Sequence, residues 1–183
     1  MSTLLLTHGA GGNRNAPLLV AVEKALEGIH VVRYDLPFRQ KRPHGSPHPS
    51  HAAEDRAGLK EQVIALRERG DGPIYIGGVS YGGRQSSMLV AEEHDLVDGL
   101  LLLSYPLHPP GKPDQLRTAH LPNIRTPALF MHGTRDPFGS IAELEAAIKL
   151  MPARTLLVPV ERAGHDLKGA APLIASAFRD FFA

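Results

Sequence analysis

No cysteine occurs among the 183 residues. That absence excludes disulfides, thiolate metal sites and a cysteine nucleophile, and it fits a reducing compartment. Charge of one sign is missing as well: 20 Lys and Arg stand against 19 Asp and Glu, a formal net charge of +1. No global field therefore favours nucleic acid or an anionic membrane surface. Nor is there any apolar run near the ~20 residues that span a bilayer. Leu4-Leu5-Leu6 is too short for a signal peptide and lacks a basic flank. These absences lead to the expectation of a cytoplasmic protein with no membrane and no nucleic-acid partner. What is present, 43% apolar and 21% charged residues, suits one domain over 1–183, with no room for a large cap.

Short apolar runs alternate with amphipathic stretches along the chain, without internal repeats. Strands are expected at 3–7, 30–35, 73–79, 98–104, 127–132 and 155–160. Helices are expected near 16–28, 52–69, 83–94, 114–121, 140–151 and 167–182. Ser140-Ile141-Ala142-Glu143 is a capping box. Leu173, Ile174, Ala177, Phe178 and Phe181 repeat at helical spacing and should bind the last helix to the sheet. This rhythm predicts a parallel sheet covered on both faces.

Gly78-Val79-Ser80-Tyr81-Gly82 is where chemistry enters. The serine lies between glycines where an apolar strand stops and a helix starts, the context of a nucleophile elbow. Side chains two residues before and after it would collide with the neighbouring strand and helix. By composition alone such a pattern can also be a plain tight turn, so its partners matter. Asp136 follows the run Pro127–Met131, and His165 follows the run Thr155–Val160, each on the loop after a strand. Thr7-His8-Gly9-Ala10-Gly11-Gly12 carries the first strand into a glycine-rich turn. Its spacing is not G-x-G-x-x-G, so dinucleotide binding is not expected.

With Ser104-Tyr105-Pro106-Leu107-His108-Pro109-Pro110, Thr134-Arg135-Asp136-Pro137-Phe138-Gly139 and Gly164-His165 added to these motifs, nearly the whole chain resembles the α/β-hydrolase superfamily. Within it, the similarity is to small capless members akin to dienelactone hydrolases. Dienelactone hydrolases proper use a cysteine nucleophile, so their substrate does not carry over. The resemblance implies a three-layer α/β/α-hydrolase fold, with a minimal six-stranded parallel sheet in the order 2-1-3-4-5-6 and no cap domain. It also implies Ser80, Asp136 and His165 as nucleophile, orienting acid and general base, in the chain order of that superfamily. The backbone N–H groups of Ala10 and Tyr81 would form the oxyanion hole.

Asp166 competes with Asp136 for the acid role, but its adjacency to His165 makes it a poor orienter of that ring, and it suits a cap for the final helix. His8 is read as a hydrogen-bonding partner of the glycine turn and, with Tyr105, Leu107 and His108, as a candidate for the substrate pocket; the last three either contact substrate or merely reverse the chain. The proline-rich stretch from Phe38 to His51 is read as a long basic loop, with Arg39, Lys41 and Arg42 at the pocket rim. Its three histidines have no carboxylate beside them, so no metal is expected. The sequence thus points to a cofactor-free serine hydrolase acting on a small-molecule ester or thioester, with short or flexible acyl groups at an open site. A catalytically silent module of the same fold, or an acyltransferase or perhydrolase, are the alternatives.

Overall fold

The computed structural model describes residues 1–70 and 72–183. Six parallel strands, β1 (Thr3–Thr7), β2 (His30–Tyr34), β3 (Ile74–Val79), β4 (Gly99–Leu103), β5 (Ala128–Gly133) and β6 (Thr155–Val160), form one sheet in the order β2-β1-β3-β4-β5-β6. The order is the expected one. Runs such as Leu4-Leu5-Leu6 and Leu100–Leu103 are apolar on consecutive residues because both sheet faces are covered. Leu5, Ile76, Leu102 and Phe130 point to one side, and Leu4, Leu6, Leu101 and Met131 to the other.

The first side is covered by α3 (Ala52–Glu68), α4 (Tyr81–Glu92) and α5 (Ile141–Ile148), the second by α1 (Pro17–Ala25) and α6 (Ala171–Phe182). Alanine and leucine occur in each of these helices, and Ser140 with Glu143 closes the predicted capping box at the start of α5. Pro159 lies in β6, an edge strand, where a missing N–H costs no inner ladder bond. Among the described residues no helix is long and apolar enough to cross a membrane.

Two expected elements differ. No α-helix forms over 114–121, and only a single turn at Leu121–Asn123 interrupts the connection from β4 to β5. The backbone there is engaged elsewhere. Arg117 N–H donates to Leu107 (2.8 Å), and the Tyr105 hydroxyl donates to the Arg117 carbonyl (2.7 Å). Leu116, the apolar residue such a helix would bury, is exposed. In the proline-rich stretch, Pro37 starts a short helix, α2 (Pro37–Lys41), in place of irregular chain, and a further turn forms at Pro49–His51. The final helix begins at Ala171, so Asp166 does not cap it; its carboxylate instead accepts from the N–H of Lys168 at 3.3 Å.

Candidate active site

At the carboxyl end of the sheet β3 turns abruptly into α4 through Ser80, whose φ is 51° and ψ −115°. A non-glycine residue in that region is strained, and neighbouring backbone must hold it. The N–H of Ser80 donates to the Leu103 carbonyl of the adjacent strand at 2.8 Å. The glycines are required by close approach: a Cβ at Gly78 would lie 2.7 Å from the Thr7 carbonyl oxygen, and one at Gly82 would overlap the His8 carbonyl.

β5 and β6 end in two loops that are laced together. The Arg135 N–H donates to Ala163 (2.9 Å), and the Arg162 N–H to the Thr134 hydroxyl (3.0 Å). This brings Asp136 to His165, with Oδ2 2.7 Å from Nδ1, and His165 to Ser80, with Nε2 2.9 Å from Oγ. A carboxylate only accepts, so the imidazole donates from Nδ1. Its Nε2 is then left to accept the Ser80 hydroxyl proton. The Asp136 side chain is fully buried, and its other oxygen accepts the Phe138 N–H at 2.8 Å. Phe138 lies flat on the His165 ring, with centroids 4.2 Å apart and planes at 25°. Behind them the buried His132 donates from Nε2 to the Gly139 carbonyl (2.8 Å) and sits 3.8 Å from Asp136, bracing the loop.

The turn after β1 is held as firmly. Leu36 N–H donates to His8 Nε2 (3.1 Å), so the other ring nitrogen, Nδ1, carries the proton donated to the Gly9 carbonyl (2.8 Å). Burial lowers the His8 pKa and favours this neutral ring. In a trans peptide the N–H points opposite to the C=O, so anchoring the Gly9 carbonyl directs the Ala10 N–H the other way. Among the described residues, neither that N–H nor the Tyr81 N–H donates to a backbone carbonyl. The Tyr81 hydroxyl donates to the buried Asp55 (2.6 Å), and burial together with that carboxylate raises its pKa.

Arg39 was expected at the pocket rim but is buried. Its guanidinium donates to the carbonyls of Gly12 (2.7 Å), Ala10 (2.9 Å), Arg42 (3.0 Å) and Gly45 (2.8 Å). Pro37 was the only sequence signal for it, since a helix start there fixes which way Arg39 points. Tyr105, Leu107 and His108 are buried on the α4 and α5 side, and none of them lines the cavity beside Val79 and Gly9. Leu107 lies under Gly139, and His108 donates to its own neighbour, the Pro109 carbonyl (2.8 Å).

A cavity lies on the opposite side. Its volume is about 670 Å³, and it opens between the turn after β1, the start of α1 and the segment between His165 and α6. His8, Gly9 and Val79 form its inner wall. The residues that line it from the two helices carried no sequence signal, because their separate apolar faces read as ordinary core.

A family model described as an alpha/beta hydrolase domain matches residues 1–173. The fold is shared with dienelactone hydrolase from Anabaena variabilis, at 21% identity and a TM-score of 0.76, over 100% of this chain and 85% of that one. It is also shared with Est1E from Butyrivibrio proteoclasticus, solved with ferulic acid bound, at 19% identity and a TM-score of 0.80, over 99% and 88%. A serine hydrolase without a lid from Xanthomonas campestris has 18% identity and a TM-score of 0.76, over 98% and 81%.

Proposed function

The chain belongs to the alpha/beta-hydrolase domain family, and from that premise we propose that it is a serine hydrolase cleaving a small carboxylic ester or thioester through an acyl-enzyme. The observation that carries this reading is the Ser80–His165–Asp136 relay, with both links under 3 Å and the serine on a strained elbow.

In the first half-reaction the Ser80 hydroxyl attacks the acyl carbon while His165 Nε2 takes its proton. Asp136 holds the Nδ1–H tautomer and offsets the charge of the imidazolium. The N–H groups of Ala10 and Tyr81 stabilise the oxyanion. Collapse expels the alcohol or thiol, which takes the proton from His165. Water then attacks the acyl-enzyme with His165 as base, and release of the acid restores Ser80. The residues of this scheme all come from the chain itself, and the proposal includes no cofactor.

Labelling with a fluorophosphonate, followed by mapping of the adduct, tests the assignment. Stoichiometric modification of Ser80 alone is expected, lost in Ser80→Ala and strongly slowed in His165→Ala. Modification elsewhere, or none on folded protein, would favour a catalytically silent fold.

A further inference from the structure

We infer that the cavity beside Ser80 is an acyl-chain pocket, so that the preferred substrates carry an apolar acyl group of medium length or an aromatic ring. The inference rests on the hydrolase reading above and adds the substrate class to it. Ala16, Pro17, Leu18 and Ala21 come from the start of α1, and Ala171 and Pro172 from the start of α6, making walls of hydrocarbon. Charge is confined to Asp166 and Lys168, both exposed. His8 presents a ring whose two nitrogens already have backbone partners. Among the described lining residues the one Lys or Arg side chain is the exposed Lys168, so an acyl group ending in a carboxylate would be desolvated against the hydrocarbon walls without a buried cation, which is unfavourable. An apolar tail loses nothing and gains burial.

Geometry joins the pocket to the nucleophile. Its walls include the residues next to Ser80 and His165, namely Val79 and Asp166. Gly9 is shared: a Cβ built on it would lie 3.7 Å from the Ser80 Cβ. An acyl carbon bonded to Ser80 Oγ, with its oxygen toward Ala10, therefore has its chain beside the Gly9 backbone, where the cavity begins. The acyl group stays bonded through both half-reactions, whereas the leaving group must exchange with water at the partly exposed edge of His165, so the apolar cavity suits the acyl arm. At about 670 Å³ it is severalfold larger than the ~150 Å³ that holds a benzene ring, and within the range of ligand pockets. An eight-carbon chain fits. The expected acyl group is thereby extended from short to medium length.

The test is a ladder of p-nitrophenyl acetate, butyrate, hexanoate and octanoate, compared by kcat/KM, alongside acetates of ethanol, butanol, hexanol and octanol. Rates should climb with acyl length by roughly two- to fourfold per methylene, the upper figure being the transfer free energy of one buried CH₂. Ala21→Phe and Leu18→Trp fill the pocket from neighbouring turns of α1. In either, the octanoate-to-acetate ratio should fall at least tenfold, with thermal melting reporting the fold. A flat acyl ladder on an enzyme that cleaves acetate overturns the pocket while leaving the hydrolase reading intact. So does a ladder in the alcohol series alone, or one that persists in both folded variants. If no ester is cleaved and no fluorophosphonate adduct forms on Ser80, the hydrolase reading itself fails and the acyl pocket falls with it.

Discussion

Phe138 and His165 are stacked face to face, 4.2 Å between centroids, although 27 residues separate them. The stack clamps one face of the imidazole while Asp136 holds its Nδ1 edge. Removing the clamp in Phe138→Leu should lower kcat by roughly three- to tenfold with little change in KM, the span of an aromatic contact worth about 0.5–1.5 kcal/mol. Phe138→Tyr, which keeps the ring, should retain most activity in the same ester assay. An equal loss in both variants would mean that the stack positions nothing.

The acid role divides two aspartates thirty residues apart in the sequence. Asp136→Asn should cost about 10⁴ in kcat near neutral pH, because an amide stabilises the wrong imidazole tautomer. Asp166→Asn should change kcat by less than about threefold, since among the described residues its carboxylate accepts only from the N–H of Lys168. Steady-state hydrolysis of a p-nitrophenyl ester decides between them, and a reversed ranking moves the role to Asp166.

Arg39 ties the turn after β1 to the segment carrying Arg42 and Gly45 through four carbonyls. Arg39→Met strands those acceptors and should destabilise the fold by on the order of 3 kcal/mol. For a chain of this size that is a fall in melting temperature of roughly 6–12 °C. Because Ala10 is among the four, kcat should drop about tenfold or more at temperatures where the variant is still folded. Arg39→Lys, a single ammonium without the planar fork, should recover little of either.

Stability should depend on pH through His120. Its imidazole lies under α4 with Nε2 2.8 Å from the Ser87 hydroxyl, which itself donates to the Arg84 carbonyl (2.7 Å). Burial first, and Arg84 and Arg56 second, push its pKa down to about 4. Between that value and the ordinary ~6.5 the unfolded chain binds the proton that the folded chain refuses. Stability fully present above ~6.5 is therefore lost as pH falls toward 4. Buried His8 adds to the same trend. Melting curves from pH 7 to 5 should shift down by several degrees, and His120→Gln should flatten the slope.

Sequence by itself determined the strands and the sheet class, because each depends on local chemistry, and the motifs that carry the family resemblance singled out Ser80, Asp136 and His165, which lie within hydrogen-bond distance in the fold. Apolar runs such as Leu100–Leu103 specify buried strands wherever they fall, and Gly78 and Gly82 mark a turn with no room for a side chain. Boundaries slipped where a local pattern met a tertiary competitor. Asp166 looked like a cap, yet the α6 helix starts later, and 114–121 looked helical, yet Tyr105 and Leu107 engaged its backbone.

Only the tertiary structure decided which side of the sheet carries the cavity, that Arg39 points inward, and that Tyr105, Leu107 and His108 are buried. Each of these is a relation between segments distant in the chain. The cavity is the gap left between α1 and α6, and Arg39 reaches carbonyls up to 29 residues away. Periodicity reports how a segment partitions between water and core, but the same apolar face fits several neighbours. Which neighbour it meets, and what space remains between them, is settled when the packed helices close on the sheet.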